Sequence, residues 1–231
     1  MVIPAYNEAA RLPRTLVQVR NYLDGWGRPY ELLVVDDGSQ DGTAERAREA
    51  GGPAVSVVTN ETNRGKGYSV RRGMLLARGA RRLMTDADLS TPIEELPRLM
   101  ARLDQGDDVA IASRALPESN IEIHQPWYRE NMGRVFNLLV QVFALPGLRD
   151  TQCGFKLFTA AAAEDAFSAA RLDGFSFDVE VLFIARRRGR RIVEVPVTWR
   201  NDAATRVGTL KGLLAFLDVL RIRANAVAGR Y

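Results

Sequence analysis

Five short apolar runs cross the first half of this chain, and a stretch with helical spacing or a polar loop separates each from the next. The runs are MVIP at 1–4, YELLVVDDG at 30–38, AVSVVTN at 54–60, RRLMTDAD at 81–88 and DVAIASR at 108–114. Between the first two, Leu12, Leu16, Val19 and Leu23 recur on one face of a helix over 9–24. Helices are also expected from Asp41, as cap, to Gly51, over 68–79, and from Pro92 to about Gln105. Strands that alternate with helices form a parallel sheet with crossover helices. An apolar run without polar alternation is a strand buried on both faces. The expected fold is α/β: a mostly parallel sheet flanked by helices.

The alternation stops after Arg114. ALPESNIEIHQPWYREN is a polar loop of unusual length, the kind that tends to carry function. Beyond it come a strongly apolar helix over 130–145, a strand at GFKLF, helices in TAAAAEDAFSAA and FDVEVLFIARRRG, and a strand at RRIVEVPVTW. The last element is an amphipathic C-terminal helix bearing Arg221 and Arg223. No linker or repeat divides the 231 residues, so one domain is expected, with 1–113 and 114–231 as its two parts. Only Met1 to Pro4 are available to the first strand. Either that strand is short, or the sequence lacks leading residues and with them an anchor.

Chemistry gathers where the strands end. In an open α/β sheet, ligands bind beyond the carboxyl ends of the strands. Here those ends carry Pro4, Tyr6, Asn7 and Glu8, then Asp36 and Asp37, then Asp86 and Asp88, then Arg114. Carboxylates crowded at one edge repel unless a cation lies among them. A hard divalent ion with oxygen ligands, Mg²⁺ or Mn²⁺, meets that demand and can in turn hold a diphosphate. Each acidic pair alone has a plainer reading. Asp86-Ala87-Asp88 would serve as a turn with a helix cap, and Asp36-Asp37-Gly38 as a strand-to-helix turn. Their order favours function: VIPAYNE, VVDDGSQDGT, NRGKG and TDADLS follow one another at successive strand ends.

Composition narrows the partners. The formal charge is +4, the pI about 9.5, and lysine occurs only at Lys66, Lys156 and Lys211, so the basic side chains are nearly all arginine. Arginine binds phosphate through a planar fork. Basic residues interleaved with stacking aromatics are not evident, so nucleic acid is not an expected partner. The single cysteine, Cys153, excludes an intrachain disulfide and fits a reducing compartment. No run reaches the ~18 apolar residues of a membrane span, and no signal peptide is visible.

Taken together, these motifs resemble the family 2 glycosyltransferases, which have the GT-A (Rossmann-like) fold. Later segments are similar to the dolichyl-phosphate glucosyltransferases and close to the dolichyl-phosphate mannose synthases: SR at 113–114, RDTQCGFKLF at 149–158, FDVEVLFIA at 177–185 and VPVTW at 195–199. The resemblance implies inverting, metal-dependent transfer of a hexose from a nucleotide sugar to a polyprenyl phosphate, with UDP-glucose favoured over GDP-mannose. It implies that Pro4, Tyr6 and Glu8 line the base and ribose. Asp36 would contact the uracil or ribose, with Asp37 beside it. Asp86 would face the nucleotide near the ribose and the metal, and Asp88 would ligate the metal. Ser90 stands where the mannose synthases often supply a further, longer oxygen ligand. Arg64, Gly65 and Lys66 match the basic loop by the nucleotide, with a solvated turn as the alternative.

On the acceptor side, the resemblance implies Arg114 and Arg129 on the lipid phosphate. Thr205 and Arg206 stand where the family often has Ser-Lys, on a loop over the donor diphosphate. Gln152 lies in the most family-specific motif. Asp178 and Glu180 are expected to face the sugar hydroxyls, with a helix cap as an equal reading for Asp178. A phosphate monoester is already anionic near neutral pH and needs no strong general base, so His124 is read as a loop residue. An insoluble acceptor implies work at a bilayer, peripherally and on the cytoplasmic face. Helix 130–145 and the C-terminal helix are the candidate contacts, unless they pack on the sheet. A GDP-mannose donor, another acceptor or a non-catalytic sugar-nucleotide module are the alternatives. The Gln-x-x-Arg-Trp signature of processive synthases is absent.

Overall fold

The computed structural model describes residues 1–202 and 210–231, without side chains for residues 129 and 210–214. The apolar runs form β1 (Val2–Ala5), β2 (Leu32–Asp36), β3 (Val55–Thr59), β4 (Arg81–Thr85) and β5 (Val109–Ser113). Further along lie β6 (Asn120–Ile123), β7 (Phe155–Thr159), β8 (Ile192–Pro196) and β9 (Thr198–Arg200). One sheet has the order β3-β2-β1-β4-β7-β5-β8. Its pairings are parallel except at β7, which runs antiparallel to both β4 and β5. The reversal has a consequence for the site. Phe155, which opens β7, pairs with Thr85, which closes β4, so the start of β7 lies at the edge where its neighbours end. Gln152, Cys153 and Gly154 therefore arrive beside Asp86.

Helices α1 (Leu12–Gly25), α2 (Thr43–Gly51), α3 (Lys66–Leu76) and α4 (Leu96–Asp104) cross between the strands of the first half. Leu12, Leu16, Val19 and Leu23 are all buried, as their spacing predicts. The helix expected from Pro92 is interrupted. Ile93–Glu95 form a 3₁₀ turn before α4, because Pro97 has no N–H to offer and crowds the carbonyl four residues back. The second half carries α5 (Trp127–Phe143), α6 (Ala160–Ala169), α7 (Phe177–Arg187) and α8 (Leu210–Val227).

Two expectations need correction. The polar stretch after Arg114 is not all loop, for β6 lies within it and pairs in parallel with β9. The strand expected at RRIVEVPVTW is broken at Val197. Its first part, β8, pairs with β5, and its second, β9, leaves the main sheet to pair with β6. Proline at the end of β8 cannot donate to a ladder, which favours the break there.

Candidate active site

The loops beyond β1, β2 and β3 hold one another through backbone amides. Those of Asn7, Glu8 and Ala9 donate to Ser39 Oγ, Thr43 Oγ1 and Asp41 Oδ2 at 2.8, 2.8 and 3.1 Å. The second motif, VVDDGSQDGT, thus shapes the first, VIPAYNE. Asn7 sits at φ +55°, a conformation that asparagine tolerates, and its Oδ1 accepts the Gln40 amide at 3.0 Å. Asp37 does similar work for the third motif. Its carboxylate accepts the amides of Arg64 (3.0 Å) and Gly65 (2.8 Å) and the Asn60 side-chain amide (2.7 Å). That clamp presents Lys66 as the first residue of α3.

Lys66 Nζ lies 2.6 Å from Asp86 Oδ1. The approach is an ion pair without hydrogen-bond geometry, and among the described residues this buried oxygen receives no hydrogen bond. Asp88 Oδ1 accepts the Ser90 amide at 2.9 Å. Burial, and then the charge of Asp86, push Asp88 above the usual carboxylate range. Leu89, in the turn after the two acids, is held at φ +47°, a strained position for leucine and of the kind found at functional turns. Gly154 packs against Asp86 so closely that a Cβ there would overlap the carboxylate.

A second ion pair stands behind the first. Lys156, fully buried in β7, places Nζ 2.5 Å from Asp178 Oδ1 and donates to the Cys153 carbonyl at 2.6 Å. Burial raises the Asp178 pKa, with Lys156 and then Lys66 opposing the rise. Burial works against the charge of Lys66, but Asp86 and Asp178 outweigh it and raise its pKa. Asp88, Asp86, Lys66, Asp178 and Lys156 therefore form one partly buried group of mixed charge.

Arg114 is locked in place. Its Nε and Nη2 donate to the two Asp150 oxygens at 2.7 and 2.9 Å, its amide donates to Asp150 Oδ2 at 2.9 Å, and its guanidinium lies over Trp199 at 5.3 Å. Burial opposes the Arg114 charge, yet Asp150 holds its pKa above the ordinary value. Burial likewise pushes Asp150 up, but Arg114 wins and brings it down to about 2. The amides of Arg149 and Asp150 donate in turn to Glu194 at 2.8 and 2.9 Å.

A cleft of about 1440 Å³ opens over this edge. It collects Pro4, Tyr6, Glu8, Asp37 and Lys66 from the first motifs, with Asp86 and Asp88. Arg114, Gln152 and Asp178 join from the later ones. Its far wall is apolar, made by Trp127, Tyr128, Met132, Val135 and Phe136 of α5 and by Phe216 of α8. Glu8 is paired with Arg11 at 2.6 Å, and Arg11 bonds Asp202 at the same distance.

Two expected site residues do not reach the cleft. Asp36 lies buried at the end of β2, beneath the loops, with one oxygen accepting the Ser39 amide at 3.3 Å and the other without a partner among the described residues. Glu180 is fully buried on α7 itself. It accepts the amides of Arg171 and Leu172 at 2.8 and 2.7 Å and the Tyr231 hydroxyl at 2.6 Å. Residues two apart on a helix point about 200° apart, so Asp178 and Glu180 cannot both face one sugar. Thr205 and Arg206 fall outside the described residues, as does the side chain of Arg129. Sequence reasoning passed over Lys156, Asp150, Gly154 and the aromatic wall. Lys156 carried a signal: a lysine inside the apolar run GFKLF must be buried with a counter-charge.

The residues fit a hard divalent cation. Asp86 offers a buried oxygen whose ion pair with Lys66 shows that it takes a cation, and burial and that neighbour push Asp88 above the usual carboxylate range. Among the described residues, no third Asp, Glu, His or Cys completes a cluster with them, so further ligands would come from the bound substrate and water.

A sheet of this order, with acids and a diphosphate-sized cleft at its strand ends, is that of a GT-A glycosyltransferase. Glucosyl-3-phosphoglycerate synthase of Mycobacterium tuberculosis, solved with Mn²⁺, UDP and glucosyl-3-phosphoglycerate, superposes with a TM-score of 0.73 at 20% identity, over 99% of this chain and 78% of that one. Residues 1–167 match the model of glycosyl transferase family 2, and the chain belongs to that family. It is 39% identical to the dolichyl-phosphate beta-glucosyltransferase of Drosophila melanogaster, over 86% of this chain and 66% of that protein. With the human protein of the same name it shares 35% identity, over 100% of this chain and 76% of the relative. The chain thus spans about two thirds to three quarters of the length of these relatives.

Proposed function

We propose that this chain transfers glucose from UDP-glucose to a polyprenyl (dolichyl-type) phosphate with inversion, using Mg²⁺ or Mn²⁺ held by Asp86 and Asp88. One observation carries the reading. A single cleft has a charged floor at Asp86, Asp88 and Lys66 and an exposed aromatic and aliphatic wall from α5 and α8. A donor diphosphate suits the first and a prenyl chain the second. The two relatives, both named for dolichyl phosphate and glucose, favour UDP-glucose over GDP-mannose.

When bound, the metal supplies neutralisation of the leaving diphosphate. The protein's own residues do the rest. Tyr6 and Glu8 line the donor's base and ribose. Lys66 brings a second cation to the diphosphate, aimed by the loop that Asp37 clamps. Asp178, pinned by Lys156, meets the sugar hydroxyls together with Gln152. Arg114 keeps one guanidinium nitrogen, Nη1, for the acceptor phosphate while Asp150 fixes the other two, and Arg129 and Arg206 complete the anion-binding set. The acceptor oxygen is already anionic, so orientation rather than proton removal is what these arginines provide. In this reading 1–113 is the donor half and 114–231 the acceptor half of one domain.

The same reading puts the protein at a membrane surface, peripherally and on the cytoplasmic face. Among the described residues, no helix is long and apolar enough to cross a membrane. Val135, Leu138 and Val142 of α5 and Leu217 and Leu220 of α8 are instead exposed, with Arg134, Arg221 and Arg223 beside them.

The test is incubation with labelled UDP-glucose or GDP-mannose, a short-chain polyprenyl phosphate and Mn²⁺, followed by extraction into organic solvent. Glucose label should enter the organic phase, and Asp88→Ala should lower the rate on the order of 10²-fold. Label from GDP-mannose alone, or an Asp88→Ala enzyme with wild-type rate and metal dependence, would refute the assignment.

A further inference from the structure

The charge balance around Lys66 raises a question that rests on the donor reading and goes beyond it. Lys66 sits 2.6 Å from the carboxylate that a metal on Asp86 and Asp88 must use, and neither side chain is fully buried, at 22% and 32% exposed. An ammonium and a divalent ion cannot share that oxygen, since like charges a few ångströms apart repel strongly even at intermediate dielectric. Either the metal is kept out or the ammonium swings away.

The backbone of Lys66 has little freedom to follow. Asp37 holds the amides of Arg64 and Gly65, and the Gly67 amide donates to the Asp173 carbonyl at 2.8 Å. Gly65, at φ +103°, is so close to Asp173 that a Cβ would overlap its carbonyl oxygen. Only the side chain can move, and it needs another anion. Asp178 and Asp88 also act on Lys66, but Asp178 already carries Lys156 at 2.5 Å and Asp88 belongs to the same metal site. A diphosphate in the cleft is the group that could receive the ammonium.

Arg11 and Arg114 also act on Asp88 and Asp86, so a bare divalent ion would enter a group already supplied with cations, whereas a diphosphate arriving with it brings compensating negative charge. We propose that Lys66 is an internal occupant of the metal site: it keeps affinity for the bare metal low until a nucleoside diphosphate takes up its ammonium, so metal and donor bind as a coupled pair. The purpose served is economy of states, since a metal bound without donor would leave the cleft open to free phosphate and pyrophosphate.

The experiment measures binding, not turnover. Free Mn²⁺ is followed by electron paramagnetic resonance for wild type, Lys66→Met and Lys66→Arg, with and without UDP, and UDP binding is measured by calorimetry in chelator. Lys66→Met should bind Mn²⁺ without nucleotide at least about tenfold more tightly than wild type, and should bind metal-free UDP at least about tenfold more weakly. Lys66→Arg, which keeps the charge, should stay close to wild type in metal affinity. Lys66→Gln replaces the Met variant if circular dichroism shows the latter unfolded. Wild type that binds Mn²⁺ with UDP, beside a Lys66→Met protein whose bare Mn²⁺ affinity is unchanged or weaker, overturns this inference alone. Wild type that binds neither UDP nor Mn²⁺ with UDP present overturns the donor reading and this inference with it.

Discussion

Gly154→Ala isolates the geometry of the acidic site from the stability of the fold. An alanine Cβ at this position would overlap Oδ2 and Cγ of Asp86 and stand 2.9 Å from Oδ1. Ordinary contact between such atoms is wider, so the carboxylate must retreat by roughly 1 Å. It can do so by rotating, because it is the end of a side chain. Gly154 lies outside the left-handed region, so its backbone accepts alanine without strain. Gain from a stiffer unfolded chain and loss from the local crowding should nearly cancel, leaving stability within about 1 kcal/mol of wild type. Function should not escape so lightly. A displacement of about 1 Å in a group that positions a reacting centre costs on the order of 10²-fold. The assay is glucosyl transfer to a short polyprenyl phosphate, with Mn²⁺ affinity in the presence of UDP and a thermal melt on the same preparations. The expected result is an intact melt with both activity and metal affinity reduced. An alanine variant within threefold of wild type in both would refute the claim that Asp86 must stand where Gly154 lets it stand.

Asp150 makes a pH-dependent prediction. Its pKa falls from 3.8 to about 2 in the folded chain, so its pairing contributes stability above the unfolded value and loses it as pH drops through that window. Asp150→Asn should destabilise by about 2 kcal/mol near neutral pH, and the difference should shrink as pH falls from about 4 toward 2. Urea unfolding at pH 7 and pH 3 checks this, and an equal deficit at both would sink it. The membrane reading predicts that replacing Leu138, Val142 and Leu217, which are 60%, 64% and 62% exposed, by serine lowers flotation with anionic vesicles at least about tenfold. None of the three lines the cleft, so turnover of a short soluble acceptor should stay at wild-type level. Unaltered flotation would argue against these faces as the contact.

What could be read from the sequence depended on whether its signal was local. The first five strands announce themselves as apolar runs, and the spacing of Leu12, Leu16, Val19 and Leu23 gives the face of α1 directly. Tyr6, Glu8, Asp37, Asp86, Asp88 and Arg114 could be placed at one edge because a parallel sheet gathers the ends of its strands. The pairing of β6 with β9 had no such signal. Two short, half-polar segments nearly eighty residues apart find each other only once the sheet has formed. The resemblance groups Asp178 with Glu180, and the helical period separates them. Asp36 and Asp37 are adjacent on an extended chain, and alternation sends one beneath the loops while the other reaches the amides of Arg64 and Gly65.

The reversed strand ties these points together. If β7 were parallel like its neighbours, Asp150, Gln152 and Gly154 would precede it at the opposite edge of the sheet, some 15 Å or more away over five residues. Running antiparallel, it brings to the acids the glycine that gives Asp86 room and the aspartate that fixes Arg114. It also carries Lys156 into the core with its ammonium under Asp178. A buried lysine of this kind adds little net stability over an apolar residue. Its place is better explained by the charge it fixes: Lys156 is committed to Asp178, which leaves Lys66 as the ammonium of the group that lines the cleft.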